Sequence, residues 1–173
     1  MRVPAGGDLA AAVRELGLPV FVKPSTEGSS VGVFRIQTED DLKPALEFAA
    51  TYTGELLAEQ MLTGGEYTVG ILGDLALPSV RIVPASGWYD YHAKYIADDT
   101  QYICPGLEGE DETRIRALAI AGFRAADCSG WSRVDVMRHA DGRFMLMEIN
   151  TAPGMTSHSL VPKAARESGV DFE

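Results

Sequence analysis

Apolar residues recur along the chain with two spacings, one typical of helices and one typical of strands. Leu9, Val13 and Leu16 follow a helical spacing that Gly17 can close. Thr38 precedes three acidic residues, which predicts the start of a second helix that buries Ala45 and its neighbours. Two further helices are predicted, one over 111–126 and a short one with Pro162 in its first turn and Gly169 past its end. Strands are predicted over 20–23, 31–36, 56–60, 66–72, 75–83, 132–138 and 143–150.

The segment from Pro84 to Gly109 shows neither spacing. It is rich in Tyr and Asp and longer than most structureless loops, so we expect it to be functional. Elsewhere strands and helices alternate in a mixed order. This order predicts an α+β fold, most simply two subdomains that meet near residues 60–65.

Composition and charge limit the classes of partner that the protein can bind. Hydrophobic residues make up 46% and charged residues 23% of the 173 positions, which suits a globular core. The net charge of −10 argues against nucleic acid or an anionic membrane as a partner, because both require a basic surface. Nucleotides remain possible, since a few cations can neutralise a triphosphate locally.

Cysteine usage and hydropathy indicate a cytoplasmic chain. Cys104 and Cys128 have no metal-ligand spacing and are expected to be reduced thiols. No apolar run reaches the roughly 18 residues of a membrane span. The first residues lack the apolar stretch of a signal peptide.

The Asp141-Gly142 pair predicts a hairpin that gathers polar side chains. If these two residues form the loop, Asp135 lies opposite Glu148 and Arg133 lies opposite Asn150. All four side chains then share one face, because side-chain direction alternates along a strand. The other face is predicted to bury Val134, Val136, Met147 and Ile149.

Two interpretations of this polar face remain open. Opposed carboxylates repel, and the oxygens of Asp135, Glu148 and Asn150 are hard ligands that suit Mg²⁺. Alternatively, the face is solvated and Arg133 pairs with the carboxylates.

A Gly/Ser-rich segment follows the strand that ends at Lys23. Small residues at 28–30 would let backbone N–H groups approach phosphate oxygens, and Lys23 would add a positive charge. An ordinary turn explains the same composition. The segment is evidence for phosphate binding only in combination with the carboxylate hairpin.

Several stretches together resemble the D-alanine–D-alanine ligase family. They are LPVFVKPSTEGSSVG at 18–32, YDYHAKY at 89–95, RVDV at 133–136, MEINTAPGMT at 147–156 and SHSLVP at 157–162. The resemblance covers nearly the whole chain. It implies an ATP-grasp fold with a small subdomain over 1–62, a large subdomain over 63–173, and ATP between them.

The resemblance also implies roles in binding ATP. Lys23 would contact phosphates, Lys94 would reach the γ-phosphate, and Ser30 and Val31 would lie in a loop over the phosphates. The adenine and ribose would be held by Glu59, the backbone of Leu62, and Glu66. Two Mg²⁺ ions, replaceable by Mn²⁺, would be held by Asp135, Glu148 and Asn150.

The implied reaction joins two D-alanines through an acyl phosphate, for peptidoglycan precursor synthesis and cell-wall biogenesis. Arg133 and the N–H of Gly154 would stabilise the oxyanion of the second step. The second substrate's carboxylate would be held by Ser159 and the N–H of Leu160, and the loops would be closed by a hydrogen-bonded set that includes Ser29 and Tyr95.

Family members carry an N-terminal domain that binds the first D-alanine, and this domain has no counterpart here. We therefore expect a fragment of an enzyme that is a homodimer when complete, and an inactive one in isolation. Two other hypotheses are a non-catalytic nucleotide-binding module and another ATP-grasp carboxylate–amine ligase. Intact Lys23, Lys94 and Arg133 argue against the first, and the SHSL stretch at 157–160 argues against the second.

Overall fold

The computed structural model describes residues 1–27, 32–85, 99–156 and 158–171. The chain divides into two compact units, Met1–Met61 and Leu62–Glu173. Each unit has its own sheet, helices and hydrophobic core, so the predicted α+β class is confirmed. Within the described residues, no helix is both long and apolar enough to cross a membrane.

The first unit is a four-stranded antiparallel sheet with two helices. Its strands are β1 (Arg2–Val3), β2 (Val20–Pro24), β3 (Phe34–Ile36) and β4 (Leu56–Gln60), in the order β1-β4-β2-β3. Helix α1 (Leu9–Leu16) begins where an oxygen of Asp8 accepts the N–H of Ala11 at 2.8 Å. It ends at Gly17, whose φ of 72° favours glycine.

Helix α2 (Leu42–Thr51) follows a short 3₁₀ turn, Glu39–Asp41. Asp41 accepts hydrogen bonds from the backbone N–H and the hydroxyl of Thr38 at 2.8 and 2.9 Å, as expected for a helix start. The backbone N–H groups of Thr38 and Gln37, which both donate to Asp41, are the main cause of the lowered pKa of Asp41. The core beneath both helices contains Leu9, Val13, Val20, Val22, Ile36, Ala45, Leu56 and Ala58.

The second unit is a six-stranded sheet with helices α3 (Gly109–Ala125) and α4 (Leu160–Glu167). Its strands are β5 (Glu66–Leu72), β6 (Leu75–Ala76), β7 (Val80–Val83), β8 (Gln101–Ile103), β9 (Trp131–Arg138) and β10 (Phe144–Asn150). The order is β10-β9-β5-β7-β8, with β6 paired to β5. Ile115, Ala119 and Phe123 of α3 pack with Val134 and Val136 in one core. Helix α4 packs in another, with Leu77 and Val80.

Two strand predictions in this unit were wrong. The strand expected over 75–83 is broken between β6 and β7, where Pro78 has no N–H and Ser79 donates its N–H to Glu112 at 2.9 Å. The segment after Pro84, expected to be a loop, contains β8, whose Ile103 pairs with Arg81. In the first unit, the strand expected over 31–36 is shorter than predicted, because β3 begins at Phe34.

The β9–β10 hairpin differs from its predicted form at both ends. His139 donates its N–H to Arg143 at 2.8 Å, so the loop has three residues, 140–142, rather than two. Gly142 has a φ of 91°, which explains the glycine. A bulge between Leu146 and Glu148 then absorbs the extra residue. Beyond it, Asp135 pairs with Glu148, as predicted.

The bulge corrects the predicted core face of β10. Met147 was expected to be buried but is 44% exposed, whereas Leu146 pairs with Val136 and packs against the core. The Cδ1 of Leu146 lies so close to Gly122 of α3 that there is no room for a Cβ at position 122. Leu146 therefore packs β10 against α3, together with Ile149, whose Cδ1 would lie 3.8 Å from the same Cβ.

Truncating these two neighbours should have unequal effects on stability. Leu146→Ala is expected to lower the free energy of unfolding by about 2 kcal/mol, because it opens a cavity against α3. Met147→Ala, the matched control, should change the free energy of unfolding by less than about 0.5 kcal/mol, because its side chain lies at the surface. Urea unfolding of both variants measures the difference. Equal losses would contradict the bulged register.

Candidate functional site

Four polar side chains share the face of the β9–β10 hairpin that lies opposite α3. Asp135 is paired with Glu148, and Arg133 is paired with Asn150. The predicted register is therefore confirmed at this end of the hairpin. The side chain of Asp135 is 20% exposed and that of Glu148 is 66% exposed, so the Glu148 carboxylate is the better solvated of the two.

Arg133 pairs with the less exposed carboxylate, that of Asp135. Its Nε lies 2.8 Å from Oδ1 of Asp135 and its terminal nitrogen lies 2.7 Å from Oδ2, which is a bidentate ion pair. The same terminal nitrogen is 3.9 Å from Oε1 of Glu148. The pairing of Arg133 with the carboxylates, one of the two interpretations left open by the sequence, is thus present in the structure.

Thr68 also contacts this group and was missed by the sequence reasoning. It lies on β5 directly opposite Asp135, and its hydroxyl is 2.7 Å from Oδ1 of that residue. Its side chain is buried, on a strand whose neighbours Tyr67 and Val69 are apolar and buried. A lone hydroxyl in the middle of a buried strand was the signal that could have identified it.

The oxygen atoms on this face suit a hard divalent cation. Oδ2 of Asp135 accepts one described hydrogen bond, and Oδ1 of Asn150 accepts one, from Ala152 N–H at 3.1 Å. Both oxygens therefore retain a lone pair, and Glu148 is well exposed. In the described part of the chain, no three His, Cys, Asp and Glu residues are grouped to hold a metal. Two carboxylates and an amide are nonetheless a donor set that fits Mg²⁺.

Ser159 and Gly154 meet at the start of helix α4. The hydroxyl of Ser159 accepts the N–H of Thr156 at 3.0 Å and lies 3.0 Å from the hydroxyl of Thr156. A Cβ on Gly154 would approach Ser159 Oγ to 2.9 Å, so the loop passes close to this hydroxyl. Leu160, the first residue of the helix, is half-buried against Leu77 and its neighbours.

Helix α4 is fixed to the sheet next to the four polar side chains. Gly70 lies opposite Arg133 on β5, and a Cβ there would meet Leu77 at 2.9 Å and Val161 of α4 at 3.4 Å. The helix therefore packs on the sheet face that carries Arg133 and Asp135. Its N-terminal amides carry partial positive charge, which favours an anionic group.

In the first unit, two of the predicted ATP-binding residues form an ion pair. Nζ of Lys23, on β2, lies 2.6 Å from Oε2 of Glu59, on β4, and about a third of each side chain is exposed. In the second unit, Leu62 is half-buried and Glu66 begins β5, opposite Ile82 and Met137. Ser29, Ser30, Val31, Lys94 and Tyr95 lie outside the described residues.

The two cysteines are free thiols in the structure. The pKa of Cys104 is raised to about 11, first by burial and then by the carboxylates of Glu167 and Glu112. Its thiol is therefore protonated at neutral pH and is a weak nucleophile.

Comparison with known proteins gives one consistent result. A family model described as "D-ala D-ala ligase C-terminus" matches residues 7–173. A D-alanine–D-alanine ligase of Xanthomonas axonopodis pv. citri is 62% identical over 176 residues, which cover 99% of this chain and 55% of the relative. The chain thus spans about half the length of the curated relatives it matches.

Solved structures agree with the sequence comparison. The D-alanine–D-alanine ligase of Bacillus anthracis has a TM-score of 0.82 and 35% identity, over 99% of this chain and 57% of that one. The structure of that ligase complexed with ATP has a TM-score of 0.79 and 30% identity, over 99% and 55%. The fold is therefore that of the ATP-grasp enzymes.

Proposed function

The chain belongs to the D-alanine–D-alanine ligase family, and on this premise we propose that it supplies the ATP-binding and catalytic part of an enzyme that makes D-alanyl-D-alanine. The proposed product is a peptidoglycan precursor. The proposal includes action in the cytoplasm and assembly of the complete enzyme as a homodimer.

The observation that carries the proposal is the polar face of the β9–β10 hairpin. Arg133, Asp135, Glu148 and Asn150 lie there together, two residues apart on each strand. Val161, the second residue of α4, packs on the same sheet face, at Gly70 opposite Arg133. The positively charged Arg133 can bind phosphoryl oxygens, and the oxygen atoms of the other three residues can bind a divalent cation.

For ATP, we assign the phosphates to Lys23 in the first unit, with Lys94, Ser30 and Val31. The ion pair with Glu59 restrains the Lys23 side chain, so less conformational entropy is lost when a phosphate binds. We assign the adenine amino group to Glu59, the ring to the backbone of Leu62, and the ribose to Glu66. Asp135, Glu148 and Asn150 would hold Mg²⁺, which neutralises phosphate charge when bound.

The proposed reaction has two steps. A carboxylate oxygen of the first D-alanine attacks the γ-phosphorus, and ADP leaves. The amine of the second D-alanine then attacks the acyl carbon, loses a proton, and expels phosphate. In this second step Arg133 and the N–H of Gly154 stabilise the negative oxygen.

Helix α4 is assigned to the second substrate. Ser159 and the N–H of Leu160 would bind its carboxylate, at a helix N-terminus whose amides favour an anion. The hydroxyl of Ser159 is already oriented by Thr156. Ser29 and Tyr95 belong to the proposed set that closes the loops over the site.

Removing the positive charge of Lys23, on β2, tests whether this residue binds the phosphates of ATP. Lys23→Gln should raise the dissociation constant for ATP about tenfold, because one charge-assisted hydrogen bond is lost. Lys43→Gln is the matched control, since Lys43 is an exposed lysine of the same unit, on α2. Calorimetric titration of residues 1–173 with ATP and Mg²⁺ measures both constants. An equal effect of the two substitutions would show that net charge, not position, governs binding.

A further inference from the structure

We propose that Thr68 is a positioning residue that selects which oxygen of Asp135 binds the cation. This inference rests on the proposed function, in which Asp135 is a ligand of Mg²⁺. The Thr68 hydroxyl donates a hydrogen bond to Oδ1 of Asp135, so Oδ2 is the oxygen that would bind the metal.

The direction of the Thr68 hydroxyl follows from its two contacts. Its oxygen lies 2.7 Å from Oδ1 of Asp135 and 3.3 Å from the carbonyl oxygen of Val134. A hydroxyl has one proton to donate, and a carboxylate at the shorter distance is the stronger acceptor. The proton therefore goes to Asp135.

The two oxygens of Asp135 then differ in how many hydrogen bonds they accept. Oδ1 accepts from Thr68 and from Nε of Arg133, whereas Oδ2 accepts only from the terminal nitrogen of Arg133, as far as the described residues show. Each carboxylate oxygen offers about two lone-pair sites. Oδ1 is thus saturated, and Oδ2 is the oxygen with a site left.

The position of Thr68 is fixed by the sheet. It is 1% exposed and lies directly opposite Asp135 in the β5–β9 register. Its β-branched side chain has few rotamers, and no water competes for the buried hydroxyl. Thr68 therefore holds the carboxylate in one orientation before any cation binds.

Two pairs of variants isolate the hydroxyl. Thr68→Val keeps the shape of the wild-type side chain and removes the donor. Thr68→Ser and Thr68→Ala form a second pair that again differs by the hydroxyl alone, so the test does not depend on one variant folding. Ser132→Ala is the matched control. It removes a buried hydroxyl for which the described residues offer no hydrogen-bond partner, on the opposite face of β9.

The measured quantity is the coupling between Mg²⁺ and ATP. ATP is titrated calorimetrically into residues 1–173 with Mg²⁺ and with EDTA, and the ratio of the two dissociation constants is compared. We expect a ratio of about 100 in the wild type, in the usual range of coupling between sites. Thr68→Val should lower the ratio about tenfold, the scale of losing a group that orients a ligand. Its dissociation constant in EDTA should not change.

The other variants complete the test. Thr68→Ser should keep a ratio about tenfold above that of Thr68→Ala, and Ser132→Ala should match the wild type. Wild-type coupling that persists in Thr68→Val and Thr68→Ala overturns the inference and leaves the proposed metal site standing. Absence of coupling in the wild type overturns both. A loss of ATP affinity in EDTA equal to that in Mg²⁺ would reduce Thr68 to a structural role.

Discussion

Asp135→Asn is expected to slow phosphoryl transfer at least ~100-fold, the effect of losing one charge-stabilising group. Asn keeps the shape of the side chain but removes the charge that pairs with Arg133 and would bind the cation. The assay uses a hybrid ligase, in which residues 1–173 replace the matched region of the Xanthomonas axonopodis relative. ADP formation with ATP, Mg²⁺ and D-alanine gives the rate.

Glu148→Gln in the same hybrid should have an effect of similar size, because Glu148 lies opposite Asp135 and its carboxylate is free to meet a cation. The matched control is Asp141→Asn, at the turn of the same hairpin. Asp141 also pairs with an arginine, Arg143, at 2.8 Å, and the N–H of Arg143 is the main cause of its pKa of about 2. Its loss should leave the rate within about twofold, as for a surface charge far from the chemistry.

Near-normal ADP formation in both Asp135→Asn and Glu148→Gln would refute the assignment of these carboxylates to the metal. A loss of the same size in Asp141→Asn would point instead to a hairpin that depends on its charges for folding. Thermal unfolding of each variant separates these outcomes.

The pairing of Asp135 with Glu148 was predicted correctly although the loop length and the bulge were both missed, because the two offsets in register cancel. The sequence predicted a two-residue loop, and the loop has three residues, which alone would turn Glu148 to the other face. The bulge at Met147 restores the pairing of Asp135 with Glu148. A trace of the bulge is visible in the sequence. Leu146 and Ile149 are separated by three positions, which an unbroken strand cannot bury on one face.

Helix boundaries were easier to predict than the strands of the second unit. The residues that begin or end the helices interact with residues three or four positions away, so sequence neighbours decide where the helices start and stop. They are Asp8, Gly17 and Thr38. The break at Ser79 depends on Glu112, which is 33 positions away in sequence. The contact of Thr68 with Asp135 spans 67 positions. Contacts of such separation follow from tertiary packing and leave little trace in local periodicity.

The polar face itself was only partly predictable. Two interpretations fitted the sequence, a metal site on this face or a solvated face on which Arg133 pairs with the carboxylates. The structure adds that both nitrogens engaged with Asp135 are within 2.8 Å. In the structure, Arg133 therefore engages both oxygens of the Asp135 carboxylate.

We propose that residues 1–173 form the catalytic part of a D-alanine–D-alanine ligase, and product formation by the hybrid ligase tests this directly. The assay detects D-alanyl-D-alanine by chromatography after incubation with ATP, Mg²⁺ and D-alanine. Residues 1–173 alone are assayed alongside. The relatives are about twice as long, and holding both substrates against ATP is worth ~7–11 kcal/mol in effective molarity.

We expect the hybrid to form the dipeptide, with one ADP per peptide bond, at a rate within about tenfold of the Xanthomonas ligase, since 62% identity should preserve the site. Residues 1–173 alone should bind ATP and form dipeptide at least ~100-fold more slowly, because substrate positioning is incomplete. A folded hybrid that binds ATP and forms no dipeptide would refute the proposed ligase function and favour a non-catalytic nucleotide-binding module.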